Sequence, residues 1–502
     1  MTYDLKSGFK SLVSARVLTS VIGLLTLPLV VRVLGPGDYG DYAFLMSMFS
    51  FMMLCISPLI TEGVQKFVAE DRSRDDWEQS IVGFYLRLAI GLAVIGSLVV
   101  LAGALTGLVG RLLNPRFELF FYFLAVHVVV IQLQNFTRHT LLGFGLESFS
   151  ESFSVVGKFL TRVGGLALAV GGLGIVGFLV SEAVSAAVIA LAGFLVIRRR
   201  VSVLKALRSR PRVPVGEILS FNGLNLVSVV LMTSLFHVDV VMLRLIEGGT
   251  ATGFYKAALV LAEYIWIVPA ALQSLLIHSA SRLWSQDRHD RIGSIASALT
   301  RYVFLATSLL AIGIFVLSDV FVPLYYGPEF RASVRPLVYL LPGAIGFALA
   351  RPLFGINKGN SRLVPVVAAL SVSAVLNVVG NYLLIPVYGI VGAAVATSLS
   401  YGSMFLLQVA CARYLGYSPL EDIRPVRLLA TVIVAGPVIF GIDRALPSNV
   451  IALVLIPPLG FLVFAVVAVW TGAIDGSELR EATSILPAPI GTRVRTFVFD
   501  WK

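Results

Sequence analysis

Two glycine-rich turns, each set between apolar runs long enough to cross a bilayer, recur far apart in this chain. The first, Arg32-Val-Leu-Gly-Pro-Gly-Asp-Tyr-Gly-Asp-Tyr42, separates the runs Leu12–Leu34 and Tyr42–Ile60. The second reads Arg244-Leu-Ile-Glu-Gly-Gly-Thr-Ala-Thr-Gly-Phe-Tyr255. Glycine and proline break a helix and fold it back, so both turns join two spans. Aligned, they place Gly35 on Gly248, Gly40 on Gly253 and Tyr42 on Tyr255, an offset of about 213 residues. Gly174-Ile-Val-Gly177 and Gly389-Ile-Val-Gly392 repeat at an offset of about 215. Two separate echoes at nearly one offset make the chain a duplicated unit.

That unit is a membrane unit. The chain is 57% apolar and 13% charged, with a mean hydropathy of +0.90. At roughly 20 apolar residues per crossing it holds about fourteen spans. The expected fold is an all-α polytopic membrane protein. It divides into a first six-span half (1–200), a polybasic linker (201–216), a second six-span half (217–415) and two further spans, Leu428–Ile442 and Val450–Trp470, with a tail (416–502). The first apolar run is too long for a signal-peptide core and lacks a small-residue cleavage site, so it is expected to be retained. Cys55 and Cys411 fall inside apolar runs and are expected as free thiols. Lys and Arg concentrate in the segments that lie inside if both termini are cytoplasmic, which sets the expected orientation. No connecting segment approaches the roughly 50 residues a soluble domain needs.

Soluble-enzyme motifs fail in context. Gly172-Leu-Gly174-Ile-Val-Gly177 matches the dinucleotide fingerprint in form, but no strand precedes it. The five His residues lack metal-ligand spacing, and no cofactor, metal or nucleic-acid partner is expected. Asn135-Phe-Thr137 falls at an inner span end, out of reach of glycosylation.

Charges within spans carry the information, because each needs a partner or a watery surrounding. Arg162 and Glu182 lie at similar depth either side of the Gly171–Gly174 turn, and Asp239 and Lys256 either side of Gly248–Gly249. Each set is either a structural ion pair or a coupling-ion site whose carboxylate is neutralised during a cycle. Glu263 is a further coupling candidate. Arg16, Arg87 and Lys158 have no hairpin partner, and snorkelling to the interface competes with a binding role for them. Lys158 and Arg162 are one turn apart on one helix face. Arg32 and Arg301, at span ends, are expected at the interface. The first half thus holds more intramembrane cations than anions, which suits an anionic headgroup such as phosphate.

Ser14-Ala-Arg16 through Tyr42 resembles the N-terminal signature of the polysaccharide-biosynthesis flippases. Asn377-Val-Val-Gly-Asn-Tyr-Leu-Leu-Ile-Pro386-Val-Tyr-Gly389-Ile-Val-Gly-Ala-Ala394-Val-Ala-Thr397 looks like that family's late hairpin. Asp239 with Gly253-Phe-Tyr255 matches the opening of its second half. The resemblance spans roughly residues 1–415 and is similar to the O-antigen and lipid II flippases of the multidrug/oligosaccharidyl-lipid/polysaccharide exporter superfamily. It implies two six-helix lobes in a V around a central cavity, working by alternating access, with Arg16 facing the cavity. Arg87, Lys158 and Arg162 match it in character and not in motif.

The expected function is a flippase for a polyprenyl-linked saccharide. Arg16, Arg87, Lys158 and Arg162 would bind its phosphate, and Glu182, Asp239, Lys256 and Glu263 are the coupling or structural-pair candidates. Expected partners are the lipid-linked saccharide, anionic membrane lipids at Arg198–Arg212, and glycosyltransferases or a polymerase of the same pathway. Two alternatives stand beside this. One is a cation-coupled multidrug exporter on the same fold. The other is a membrane-embedded glycosyltransferase or polymerase, against which short external turns and the missing Asp-x-Asp motif count.

Overall fold

A computed structural model gives the structure of residues 5–70, 76–208, 213, 215–360, 362–475 and 478. All regular elements among them are helical. In chain order they are α1 (Leu5–Leu54), α2 (Pro58–Ala69), α3 (Trp77–Leu105), α4 (Leu108–Leu112), α5 (Pro115–Gly143), α6 (Glu147–Leu168) and α7 (Gly174–Ile197). A short α8 (Val203–Arg208) leads to α9 (Val215–Glu247), α10 (Gly249–Glu263), α11 (Ile267–Ser285), α12 (His289–Tyr326) and α13 (Val334–Lys358). The chain then forms α14 (Leu363–Tyr414), α15 (Pro425–Ala445) and α16 (Asn449–Trp470).

Eleven helical stretches among the described residues are long and apolar enough to cross a membrane. Three of them, of 37, 51 and 52 residues, hold a residue with non-helical backbone within their length. Each breaks at glycine. Gly35 has φ 68° and ψ 173° inside α1. Gly172 stands at φ 96° in the turn between α6 and α7. Gly389 divides α14. Counting those three as pairs accounts for the expected number of spans. Gly174 (φ 51°, ψ −127°) and Gly389 (φ 55°, ψ −130°) share a backbone conformation reserved for glycine, so the sequence repeat is also a repeat of shape.

The breaks are hairpins. Ser185 Oγ donates to the Gly157 carbonyl at 2.9 Å across the α6–α7 turn, and Ser400 Oγ to the Ser373 carbonyl at 2.7 Å across the Gly389 turn. A straight helix would hold residues 27 apart about 40 Å from one another. Elsewhere the termini are capped locally: Asn114 accepts from the Arg116 amide at 3.0 Å, and Ser448 from the Ile451 amide at 3.2 Å.

The described chain forms two compact units. The first comprises residues 1–260, 325–336 and 370–400. Its core includes Ile60, Phe67, Trp77, Tyr85, Phe136, Ile197 and Ala206, so α2, α3, α5 and α8 pack together. Within it the two glycine turns touch: a Cβ on Gly253 would stand 1.9 Å from the Pro36 carbonyl oxygen. Arg244 Nε lies 2.5 Å from Asp41 Oδ1 beside them, with its guanidinium over the Phe117 ring.

The second unit comprises residues 261–324, 337–369 and 401–502. Here α15 and α16 pack on α12 through Leu305, Leu428, Ala435, Ile439, Ile456 and Phe464. Arg301 fastens this packing. Expected at an interface, it is 1% exposed and ion-paired to Asp422, before α15, and Glu478, after α16. Both cysteines are free thiols.

Candidate functional site

In the first half of the chain the α6–α7 hairpin brings three of the expected residues together. Gly157 and Gly164 let α7 approach closely, and Ser181 Oγ donates to the Leu160 and Thr161 carbonyls at 3.2 and 3.1 Å. Lys158 and Arg162, one turn apart on α6, both act electrostatically on Glu182 of α7. Two further helices add groups the sequence reading missed. Tyr42 of α1 and His127 of α5 each stand 3.5 Å from Glu182 Oε2, through the phenol oxygen and Nε2. His127 is fully buried, its ring edge-on to Phe49 at 5.1 Å.

None of these contacts on Glu182 is short, and its side chain is 25% exposed. The carboxylate is held loosely and is not fully enclosed. Nearby polar atoms are also unspent. His127 Nδ1 and Arg162 Nε have no hydrogen-bond partner among the described residues. The same holds for both amide atoms of Gln132, five residues beyond His127 in α5 and fully buried. Buried donors left so are costly unless a guest or water satisfies them.

The second half carries the matching hairpin with a different charge. Applying the offset of about 215 residues puts Thr397 at the place of Glu182 and Asn377 at that of Arg162. Tyr255, counterpart of Tyr42, meets Thr397 Oγ1 at 2.9 Å. The carboxylate comes instead from Asp239 on α9. Its Oδ2 accepts from Tyr255 at 2.5 Å and Thr397 at 3.1 Å, and its Oδ1 from the Val240 amide at 2.7 Å. Asn377 Nδ2 donates to Thr397 Oγ1 at 3.3 Å, and Asn381 Nδ2 to the Asn377 carbonyl at 2.8 Å. Asn381 Oδ1 is buried with no hydrogen-bond partner. This is an oxygen-rich, fully buried set of the kind that holds a hard cation. Lys256 acts on Asp239 electrostatically, but no ion-pair contact joins them among the described residues.

Arg87 and Glu263 lie apart from both clusters. The Arg16 side chain falls outside the described residues, although its backbone is in α1. Arg87 of α3 donates from Nη1 to the Ala206 and Leu207 carbonyls at 3.0 and 2.7 Å, so it caps the end of α8. Gly83 makes room for that docking, since a Cβ there would stand 2.2 Å from the Ala206 carbonyl oxygen. Glu263 ends α10 in the second compact unit, partly buried before a single 3-10 turn.

That unit also holds an intramembrane cation the sequence reading passed over. Arg351 of α13 lies 5.0 Å from the Trp266 ring and 4.9 Å from the Phe347 ring, with Nη1 3.0 Å from Gln273 Oε1. Its signal was an arginine inside an otherwise apolar span.

A family model described as polysaccharide biosynthesis protein matches residues 5–272. A probable low-salt glycan biosynthesis flippase, Agl15 of Haloferax volcanii, is 27% identical over 167 residues, 32% of this chain and 34% of that protein. The chain thus spans about a third of the length of the curated relatives it matches. A solved structure of the lipid II flippase MurJ in an inward closed conformation superposes with a TM-score of 0.67 at 13% identity, covering 91% of this chain and 98% of that one. An inward-facing multidrug resistance MATE family transporter of the MOP superfamily gives 0.60 at 16% identity, covering 78% and 94%. At these identities the likeness is one of fold.

Proposed function

Because the chain belongs to the polysaccharide biosynthesis protein family, we propose that it is a flippase for a polyprenyl-(pyro)phosphate-linked saccharide. It would serve cell-surface polysaccharide or glycoconjugate synthesis. The observation that carries this reading is that Lys158 and Arg162, one turn apart on α6, both act electrostatically on the single carboxylate of Glu182. Two cations against one anion leave a positive balance inside a membrane helix bundle, and an anionic guest offsets it. Arg162 offers a planar donor fork to phosphate, and Lys158 a mobile ammonium one turn away. Each charge-assisted hydrogen bond is worth about 1.5–3 kcal/mol.

No covalent bond needs to change. The headgroup would enter from the cytoplasmic side, and the polyprenyl tail would stay among the lipids. The moving parts would be the two halves of the duplication, 1–200 and 217–415, alternately opening to either face, with both termini in the cytoplasm. Arg16 would add a cation at the start of the path. The exposed Arg198, Arg199 and Arg200 would meet anionic lipid headgroups at about 1 kcal/mol each. Glycosyltransferases or a polymerase of the same pathway would act before and after the flip.

The cluster of Asp239, Tyr255, Thr397 and Asn377 favours a second reading, a cation-coupled multidrug exporter on the same fold. One experiment separates the two. The purified protein is placed in proteoliposomes with a short-chain isoprenyl diphosphate sugar, and sugar reaching the outer leaflet is oxidised by periodate. The flippase reading expects transfer that Arg162→Ala and Lys158→Ala reduce. Cation-driven dye efflux with no lipid transfer would falsify it.

A further inference from the structure

Glu182 is the one group in the first-half cluster that can trade its partners for a proton. From α1 it faces Tyr42, from α5 His127, and from α6 Lys158 and Arg162. Tyr39 of α1 lies behind Tyr42. The carboxylate touches Tyr42 and His127 only at 3.5 Å and is partly exposed, so leaving them costs it little. The two cations that neutralise it are the two the headgroup reading assigns to phosphate. Glu182 and a bound phosphate therefore compete for the same positive charge.

We infer that Glu182 is a proton site whose protonation is linked to headgroup binding at Lys158 and Arg162. With the site empty of headgroup, Glu182 is an anion balanced by the two cations. When a phosphate arrives, negative charge accumulates around Arg162, and a proton taken up by Glu182 removes the repulsion. When the headgroup leaves, the cations again favour the carboxylate, and the proton returns to water.

The second half shows why this belongs to one half alone. There Thr397 replaces Glu182 and Asn377 replaces Arg162 in the same hairpin. Those two hairpin positions carry no cation for a phosphate and no group to take up a proton, and the carboxylate beside them belongs to Asp239 of α9. The duplication has diverged into a hairpin with its own cations and carboxylate and one with neither.

This inference rests on the headgroup reading. The test is the affinity of the detergent-purified protein for a short-chain isoprenyl diphosphate sugar, whose phosphate groups keep their charge from about pH 8 to about pH 6. Wild-type affinity is expected to rise as pH falls, by up to about tenfold per unit for one linked proton. Glu182→Gln, which mimics the protonated carboxyl, is expected to bind tightly at the alkaline end with a much flatter profile. An unchanged slope in Glu182→Gln overturns the linkage and leaves the headgroup reading standing. Absence of binding at every pH overturns both. Should Glu182→Gln fail to fold, proton uptake by the wild type in weak buffer on adding the sugar decides. Uptake supports the linkage, and release or no change overturns it.

Discussion

Gly40 and Gly253 occupy the same place in the two halves of the chain, and they meet. A Cβ on Gly40 would stand 2.6 Å from the Gly253 nitrogen and 1.8 Å from the Gly249 carbonyl oxygen. Gly37 faces its own counterpart in the same way, with Thr250 Oγ1 3.5 Å from where its Cβ would be. A contact in which each residue meets its equivalent is that of a two-fold interface, here built within one chain. The two glycine turns thus close on each other through bare backbone.

Gly40→Ala is therefore expected to destabilise this closure by about 1–3 kcal/mol, since backbone, unlike a flexible side chain, cannot yield to a methyl group. Gly23→Ala, with open space around its site, is the control. Thermal unfolding in detergent checks this, and equal melting temperatures for the two variants would contradict the contact. A Gly37→Cys, Thr250→Cys pair is expected to form a disulfide on oxidation and to stop transport until reduced.

The orientation follows from Lys and Arg placement and is testable by labelling. In a background lacking Cys55 and Cys411, single cysteines at Asp38 and Asp443 are expected to react with an impermeant reagent from outside. One at Ser202 is not. Removing Asp38 gives up its exposed pair with Arg116, at a cost of at most about 1 kcal/mol, so the fold survives the probe. Labelling at Ser202 in sealed cells would reverse the topology.

Asp239 finds its partners in Tyr255 and Thr397, and Lys256 is not bonded to it. Two outcomes follow. Asp239→Asn is expected to fold yet transport slowly, because the hydroxyl donors lose their charged acceptor. Adding Lys256→Gln to it is not expected to restore transport, as it would if the two formed a buried ion pair. Transport assays on the single and double variants decide, and full rescue would return Asp239 to a structural role.

Those residues also mark how far the sequence could be read. Span number and glycine breaks were legible because bilayer thickness and backbone sterics leave few choices. Depth along a hairpin was legible too, which is how Arg162 and Glu182 came out together. Direction around a helix was not. Asp239 and Lys256 share a depth, but Asp239 turns toward Thr397, which lies 158 residues on in sequence. His127 stayed hidden because pairing by depth considered only neighbouring helices. The partners of Arg87 and Arg301 sit in segments that look solvated in sequence, one before α9 and the others flanking the last two helices.

Arg87 should separate from the headgroup residues when mutated. Its Nη1 serves two carbonyls at the end of α8, and hydrogen bonds from a charged donor contribute about 1.5–3 kcal/mol together with the packing they hold. Arg87→Gln is expected to speed proteolysis within residues 200–213 while changing diphosphate-sugar affinity little. Lost affinity with an unaltered cleavage rate would instead place Arg87 in the binding path.

Arg162 and Lys158 are expected to behave as one site. They lie a turn apart on α6 and both act electrostatically on Glu182, so a diphosphate reaching one reaches the other. Arg162→Lys keeps the charge but loses the fork, and should weaken binding less than Arg162→Ala. Each Ala variant should lose about tenfold or more in affinity, the loss of roughly one charge-assisted bond. Removal of both should cost less than the two losses combined, because residues serving one ligand are not independent. Arg16→Ala joins the cycle if its side chain reaches the same phosphate. Calorimetry in detergent on the single, double and triple variants measures these differences. A triple variant with wild-type affinity would make all three cations anchors for the helices and not a site for the lipid.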